Sequence, residues 1–245
     1  MKRPKLILEK TNDYSESKSP ALTVVMIHGI ASSSASYDNA LEYFKAQKDL
    51  ARVRFVTFDL LGSGKSLTDD SLEYGYEEQI EALHNAVRDL GVDAPIVLIG
   101  HSLGTFIVTR YAKIYPDEIR RLILISPPIY SLRDFDDPAF WAGIDMFKKA
   151  LGAKNPEVLK EKAFNNSMEK IVLCRDNYQT LAEITTPTTL IFGSEDRIIA
   201  SHNVPGIVKK NKHVKAIPTI GHHGVTKDKY TKIATILKET LDETI

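Results

Sequence analysis

The chain has 245 residues, a length that allows one α/β domain with a large hydrophobic core. Its 32 basic and 32 acidic side chains give a formal net charge of zero, which removes any electrostatic case for binding nucleic acid or an anionic membrane. The single cysteine, Cys174, excludes an internal disulfide and is typical of a reducing compartment.

The N-terminal segment, residues 1–20, is polar apart from Leu6–Leu8. This apolar run is too short for the apolar region of a signal peptide and predicts a short edge strand. No stretch of the sequence approaches the length of a transmembrane span. We therefore expect a cytoplasmic protein with no membrane attachment.

The first half of the chain alternates apolar runs with helical patterns. Residues 22–27 and 53–58 read as buried strands, and residues 38–50 and 76–90 read as amphipathic helices. Two loops follow the strands. The first begins His28-Gly29-Ile30, and the second is the Gly/Ser-rich segment 59–66.

A Gly-x-Ser-x-Gly pentapeptide follows the apolar run 96–99, and a helical pattern starts directly after it. Strand, pentapeptide and helix together predict a nucleophile elbow, a sharp turn that exposes the Ser102 hydroxyl. Gly100 and Gly104 lack Cβ atoms and so allow the strand and the helix to approach closely. The helix start would direct N–H groups towards an oxyanion formed nearby.

The second half contains three more apolar runs, 122–126, 188–192 and 214–218, each of which predicts a buried strand. Between the first two, residues 129–185 carry aromatic side chains among charges and no strand pattern, so we predict a helical cap there. The core domain would then comprise residues 1–128 and 186–245. Helices are predicted over 201–210 and 228–241.

Alternating strands and helices predict an α/β fold with a mostly parallel, doubly wound sheet. In such sheets, substrates bind at the carboxyl ends of the strands. The residues just after the predicted strands carry nearly all the candidate chemistry, and they are His28, Asp59, Ser102, Asp196 and His222.

In these sequence features the chain resembles the α/β-hydrolase superfamily, and the resemblance extends over almost the whole chain. It rests on His28-Gly29, Asp59-x-x-Gly62-x-Gly64-x-Ser66, the pentapeptide around Ser102, Gly193-Ser194-Glu195-Asp196 and Gly221-His222. The chain is most similar to small, cofactor-free, esterase-like members with a helical cap. The chain order Ser, Asp, His is the order expected for this fold.

The resemblance implies a role for each residue. Ser102 would be the nucleophile, His222 the general base, and Asp196 the carboxylate that orients the imidazole. The backbone N–H groups of Ile30 and Leu103 would form the oxyanion hole. The residues predicted to line the substrate pocket are His28, Tyr130, Phe140, Trp141 and Phe147.

Several alternatives stay open on sequence alone. Glu195 could replace Asp196, and His223 could act as the base instead of His222. The spacing of the histidines matches no common zinc motif, and the segment 59–66 lacks the first glycine of a phosphate loop. We therefore expect no metal and no cofactor.

The leading functional hypothesis is a serine hydrolase that cleaves carboxylic esters of small to medium acyl groups. Its only predicted partner is the small-molecule ester substrate, and we expect a monomer or a homodimer. The same triad could instead hydrolyse a carbon–carbon bond, a lactone or a thioester. A non-catalytic protein that binds small molecules is the alternative from a different class.

Overall fold

The computed structural model describes residues 5–66, 68–152, 161–196, 198 and 200–243. Within these residues, seven strands form one sheet. They are β1 (Lys10–Tyr14), β2 (Leu22–Ile27), β3 (Val53–Phe58), β4 (Ile96–His101), β5 (Ile119–Ile125), β6 (Thr188–Gly193) and β7 (Val214–Thr219). The order across the sheet is β1-β3-β2-β4-β5-β6-β7. Only the β1–β3 pair is antiparallel among these strands.

Helices cover the sheet and follow most of its strands. They are α1 (Asp38–Lys45), α2 (Tyr76–Asp89), α3 (Leu103–Ile114), α4 (Leu132–Phe135), α5 (Pro138–Gly152), α6 (Glu161–Ser167), α7 (Asn177–Glu183), α8 (Val204–Lys210) and α9 (Lys227–Asp242). A π-helical turn, Met168–Val172, continues α6. None of the helices in the described ranges combines the length and hydrophobicity that a bilayer span requires.

The sheet is buried on both faces, which explains its near-continuous apolar strands. On β4, Leu98 belongs to the hydrophobic cluster that contains α2 and α3 residues such as Leu83 and Ile107. Its neighbour Val97 belongs to the cluster on the other face, together with α9 residues such as Leu237. This alternation follows from the two-residue period of a strand. The predicted doubly wound α/β fold is confirmed.

The predicted edge strand at Leu6–Leu8 is wrong. Leu6 and Leu8 are buried in the hydrophobic core but form no strand, and the edge strand is the polar segment β1. Asp13 of β1 accepts a hydrogen bond from Arg54 Nε of β3 at 2.7 Å, so side-chain pairing holds this edge in place.

Between Ile125 and Thr188 the described residues form helices and turns and no strand. We call α4–α7, with the π-helical turn, the helical insertion. This helical content agrees with the sequence, whereas the boundaries 129 and 185 stay a prediction.

Candidate active site

Ser102 occupies a strained turn between β4 and α3. Its φ and ψ angles are 51° and −119°, a backbone conformation that costs a non-glycine residue roughly 1–3 kcal/mol. A Cβ on Gly100 would lie 2.6 Å from the carbonyl oxygen of Gly104, and one on Gly104 would lie 2.4 Å from that of Ile27. Only glycine fits at both positions, so the local sequence allows this turn.

A buried carboxylate and an imidazole meet at the ends of β6 and β7. The Nδ1 atom of His223 lies 2.9 Å from Oδ2 of Asp196. Burial opposes ionisation of Asp196, but hydrogen bonds from His223, the N–H of Ile198 and the Ser126 hydroxyl outweigh it. They hold the pKa of this carboxyl below its usual value. Asp196 therefore stays ionised and can orient the His223 ring.

The prediction that His222 pairs with Asp196 is wrong. The His222 side chain is 81% exposed, and its Nε2 atom lies 3.6 Å from Oε2 of Glu195. Its neighbour His223 faces inward and takes the place at the carboxylate. Glu195 likewise lies beside the exposed histidine, so the structure pairs Asp196 with the alternative base.

The second ring nitrogen of His223, Nε2, is buried and has no hydrogen-bond partner among the described residues. With a proton on Nδ1 shared with Asp196, Nε2 carries the free lone pair of a general base. Within the described residues, no hydrogen bond joins His223 Nε2 to Ser102. Catalytic hydrogen bonds are often long without substrate and shorten in the substrate complex.

His101 connects Ser102 to the loop after β7, which carries His223. It immediately precedes Ser102, and its Nε2 atom lies 2.9 Å from the carbonyl oxygen of His223. Burial, with the nearby charge of His223, lowers the pKa of His101 to about 3. A neutral His101 therefore fixes the distance between the elbow and the loop after β7.

His28 is structural, and its predicted place in the substrate pocket is wrong. Its Nδ1 lies 2.7 Å from the Gly29 carbonyl oxygen, and its Nε2 accepts the Leu60 N–H at 3.0 Å. The ring is fully buried, and burial lowers its pKa. His28 thus ties the loop after β2 to the loop after β3.

The two proposed oxyanion donors lie on either side of Ser102. Leu103 is the first residue of α3, so its N–H is outside the helical hydrogen-bond ladder. Ile30 follows Gly29, where an added Cβ would lie 3.0 Å from Ser102 Cβ. The loop after β2 therefore packs closely against Ser102, as the oxyanion assignment requires. The assignment itself stays a prediction.

A cavity of about 420 Å³ separates Ser102 from the helical insertion. Tyr130, Phe140 and Phe147, all predicted pocket residues, contribute to its lining. The other lining residues are Ile30, Pro128, Asp134, Asp137, Ala139, Gly143, Ile144, Met168, Val172, Ile198, Ala200 and His202. The cavity wall is therefore mostly apolar beside the nucleophile, with polar groups from Asp134, Asp137 and His202.

Trp141 does not line this cavity, contrary to the prediction. Its indole Nε1 donates to the Phe135 carbonyl oxygen at 2.9 Å, and its ring packs against Phe140. Ile198 borders both the cavity and the cleft that contains Asp196 and His223. The cavity beside Ser102 and the cleft beside Asp196 and His223 thus share a wall at Ile198.

Two residues of the site region did not emerge from the sequence, Ser126 and Lys229. Both are fully buried, and Lys229 Nζ donates to Ser126 Oγ at 2.7 Å. A signal for Lys229 exists in its spacing, because it precedes Ile233 and Leu237 by four and eight residues on the apolar face of α9. Within the described residues, no group of three His, Cys, Asp or Glu side chains is arranged to hold a metal ion.

Comparison with known proteins agrees with this fold. Residues 23–159, more than half of the chain, match the family described as alpha/beta hydrolase fold. The chain therefore belongs to the α/β-hydrolase family.

Relatives within this family act on lipids and esters according to their names. Mouse (lyso)-N-acylphosphatidylethanolamine lipase is 31% identical over 140 residues, which are 54% of this chain and 39% of that protein. Lipase 1 of Psychrobacter immobilis is 25% identical over 242 residues, covering 81% of this chain and 70% of that protein. The chain spans about a third of the length of several curated relatives that it matches.

A solved structure has the same fold over nearly its whole length. A structure from work on carboxylesterases of the ammonia-oxidizing thaumarchaeon Nitrososphaera gargenis superposes with a TM-score of 0.75. The alignment covers 99% of each chain at 16% sequence identity. At this identity the likeness concerns the fold.

Proposed function

We propose that this protein is a serine hydrolase that cleaves carboxylic esters through an acyl-enzyme, with Ser102, His223 and Asp196 as its triad. The observation that carries the proposal is the 2.9 Å contact between His223 Nδ1 and Asp196, at the same sheet edge as the strained Ser102. The buried, unpartnered Nε2 of His223 supports its role as the base.

The reaction follows from these groups. His223 Nε2 removes the proton of the Ser102 hydroxyl as its oxygen attacks the ester carbonyl. The N–H groups of Ile30 and Leu103 stabilise the resulting oxyanion, each contributing about 3–4 kcal/mol in comparable sites. His223 then returns the proton to the leaving alcohol. Water attacks the acyl-enzyme by the same route and releases the acid.

The cavity supports esters of small to medium acyl groups as substrates. Its volume of about 420 Å³ is within the range of small-molecule sites, and most of its lining is apolar. We propose that the helical insertion acts as a cap, because Phe140 and Phe147 of α5 face the same cavity as Ser102. The acyl chain would lie between the cap and the sheet edge.

Hydrolysis of p-nitrophenyl acetate and butyrate tests this proposal. We expect Ser102→Ala to lose activity by a factor of about 10⁴ or more, because no other nucleophile replaces the serine. The exposed Ser71→Ala serves as the matched control. A fluorophosphonate should add a single phosphonyl group to the wild type at Ser102, with loss of fluoride, and none to Ser102→Ala. Equal turnover by wild type and Ser102→Ala would favour a non-catalytic binding protein.

A further inference from the structure

The Lys229 ammonium group is fully buried in α9 and saturated by hydrogen bonds. Its Nζ atom donates to three oxygens, the His222 carbonyl at 2.5 Å, the Gly224 carbonyl at 2.9 Å and Ser126 Oγ at 2.7 Å. An ammonium group has three N–H donors, so each has one acceptor. A fully buried lysine is rare, because removing its charge from water is costly.

Two of these acceptors flank the proposed base. The carbonyl groups of His222 and Gly224 belong to the residues immediately before and after His223. Lys229 therefore holds the backbone on both sides of His223 without contacting the imidazole ring through a hydrogen bond. This contact determines where the loop presents the ring.

The third acceptor connects Lys229 to the acid. Ser126 directly follows β5 with a φ of 48°, and its side chain is fully buried. Its hydroxyl accepts from Lys229 Nζ at 2.7 Å, and the same hydroxyl helps to lower the pKa of the Asp196 carboxyl. A hydroxyl has one donor and two acceptor sites, so Ser126 can serve both neighbours together.

We propose that Lys229 is a positioning residue that fixes both partners of the acid–base pair, His223 through its loop and Asp196 through Ser126. The proposal rests on the function proposed above. It differs from a purely structural role in one consequence, namely that losing the contacts slows the chemical steps more than it lowers stability or substrate binding.

The first test compares Lys229→Met with Lys232→Met, an exposed lysine on the same helix. Methionine keeps the length and apolar stem but removes all three donors. We expect kcat for p-nitrophenyl butyrate to fall about 10- to 100-fold in Lys229→Met, because a misplaced base loses alignment. KM should stay within about 3-fold, since Lys229 does not line the cavity. Lys232→Met should resemble the wild type.

A second pair of variants keeps the test decisive if Lys229→Met does not fold. Ser126→Gly and Ser126→Ala both remove the hydroxyl, but glycine adopts the φ of 48° without strain. We expect the glycine variant to be the more stable one and both to lose kcat to a similar degree. Near-normal kcat in Ser126→Gly would overturn the proposal, because activity would then follow stability alone.

A spectroscopic measurement separates this proposal from the proposed function. In the wild type labelled with ¹⁵N at histidine, the Nδ1–H proton shared with Asp196 should give a downfield NMR resonance. The resonance should weaken or shift in Lys229→Met or Ser126→Gly if the pair loses its alignment, whatever the enzyme activity. An unchanged resonance would contradict the positioning role. Absent ester hydrolysis and absent labelling in the wild type would contradict the proposed function instead.

Discussion

At the scale of single residues, the loop after β7 gives two adjacent histidines opposite surroundings. The His223 ring is directed into the protein towards Asp196, whereas the His222 ring lies in solvent near Glu195. The loop therefore directs the two adjacent rings into different surroundings, and only the His223 ring meets the carboxylate. The Gly-His pattern of the sequence favours His222 over His223, whereas the contacts of the folded loop place His223 at the carboxylate.

This difference predicts which histidine the reaction needs. We expect His223→Gln to lower kcat for p-nitrophenyl butyrate by about 10³-fold or more, because the general base and its proton path are lost. His222→Gln, the matched control one residue earlier, should keep kcat within about 3-fold. Steady-state kinetics of the two purified variants give the comparison, and a greater loss in His222→Gln would reverse the assignment of the base.

At the scale of elements, the sequence predicts the apolar strands of the sheet correctly but does not predict the polar edge strand β1. Strands β2 to β6 bury apolar side chains on both faces, and this produces near-continuous apolar runs in the sequence. The segment β1, Lys10–Tyr14, is polar because it lies at the edge of the sheet, and its pairing depends on Arg54 of β3. No local pattern reveals a partner that lies 41 residues away.

Helix α5 illustrates why pocket residues are difficult to assign from a sequence. Phe140 and Trp141 are neighbours in α5, but only Phe140 lines the cavity. Trp141 instead packs against Phe135 of α4 and donates to its carbonyl oxygen. Which side of the helix faces Ser102 depends on how the whole helical insertion packs on the sheet.

The orientation of α5 predicts how acyl-chain preference should change. Phe147 lines the cavity, whereas the adjacent Met146 is 73% exposed. We expect Phe147→Ala to raise the ratio of kcat/KM for p-nitrophenyl octanoate over acetate by about 10-fold, because it adds room for apolar chain atoms. Met146→Ala should leave the ratio unchanged. Assays across a series of acyl lengths would contradict the orientation if both variants behaved alike.

At the scale of the whole molecule, the sheet collects distant residues at one edge, and much of this could be predicted. The strand order brings the ends of β2, β4, β6 and β7 to the same side, so the proposed nucleophile, acid and oxyanion loop can be predicted from their positions after strands. The contact between Ser126 and Lys229 spans 103 residues. It depends on α9 packing beneath the site, which no motif in the sequence encodes.

The buried histidines give the whole molecule a predictable sensitivity to acid. Burial lowers the pKa of both His28 and His101, the latter to about 3, whereas an unfolded chain has the ordinary value of 6.5. Above pH 6.5 neither state binds the extra protons, so the folded protein keeps its full stability. As the pH falls below 6.5, the unfolded state takes up protons that the folded state excludes, and stability is lost.

His101, whose pKa in the folded protein is about 3, should lower the free energy of unfolding by about 1.4 kcal/mol per pH unit once the pH is well below 6.5, and the lowered pKa of His28 should add to this loss. Between pH 6 and pH 4.5, the urea midpoint should therefore fall steadily. His101→Asn should reduce this slope, because it removes one of the groups that bind a proton only in the unfolded state. Comparison at pH 7.5 separates the loss of packing in this variant from the proton effect. An unchanged slope would show that His101 is protonated in the folded protein, and His101 could then not be the neutral link between Ser102 and the loop that carries His223.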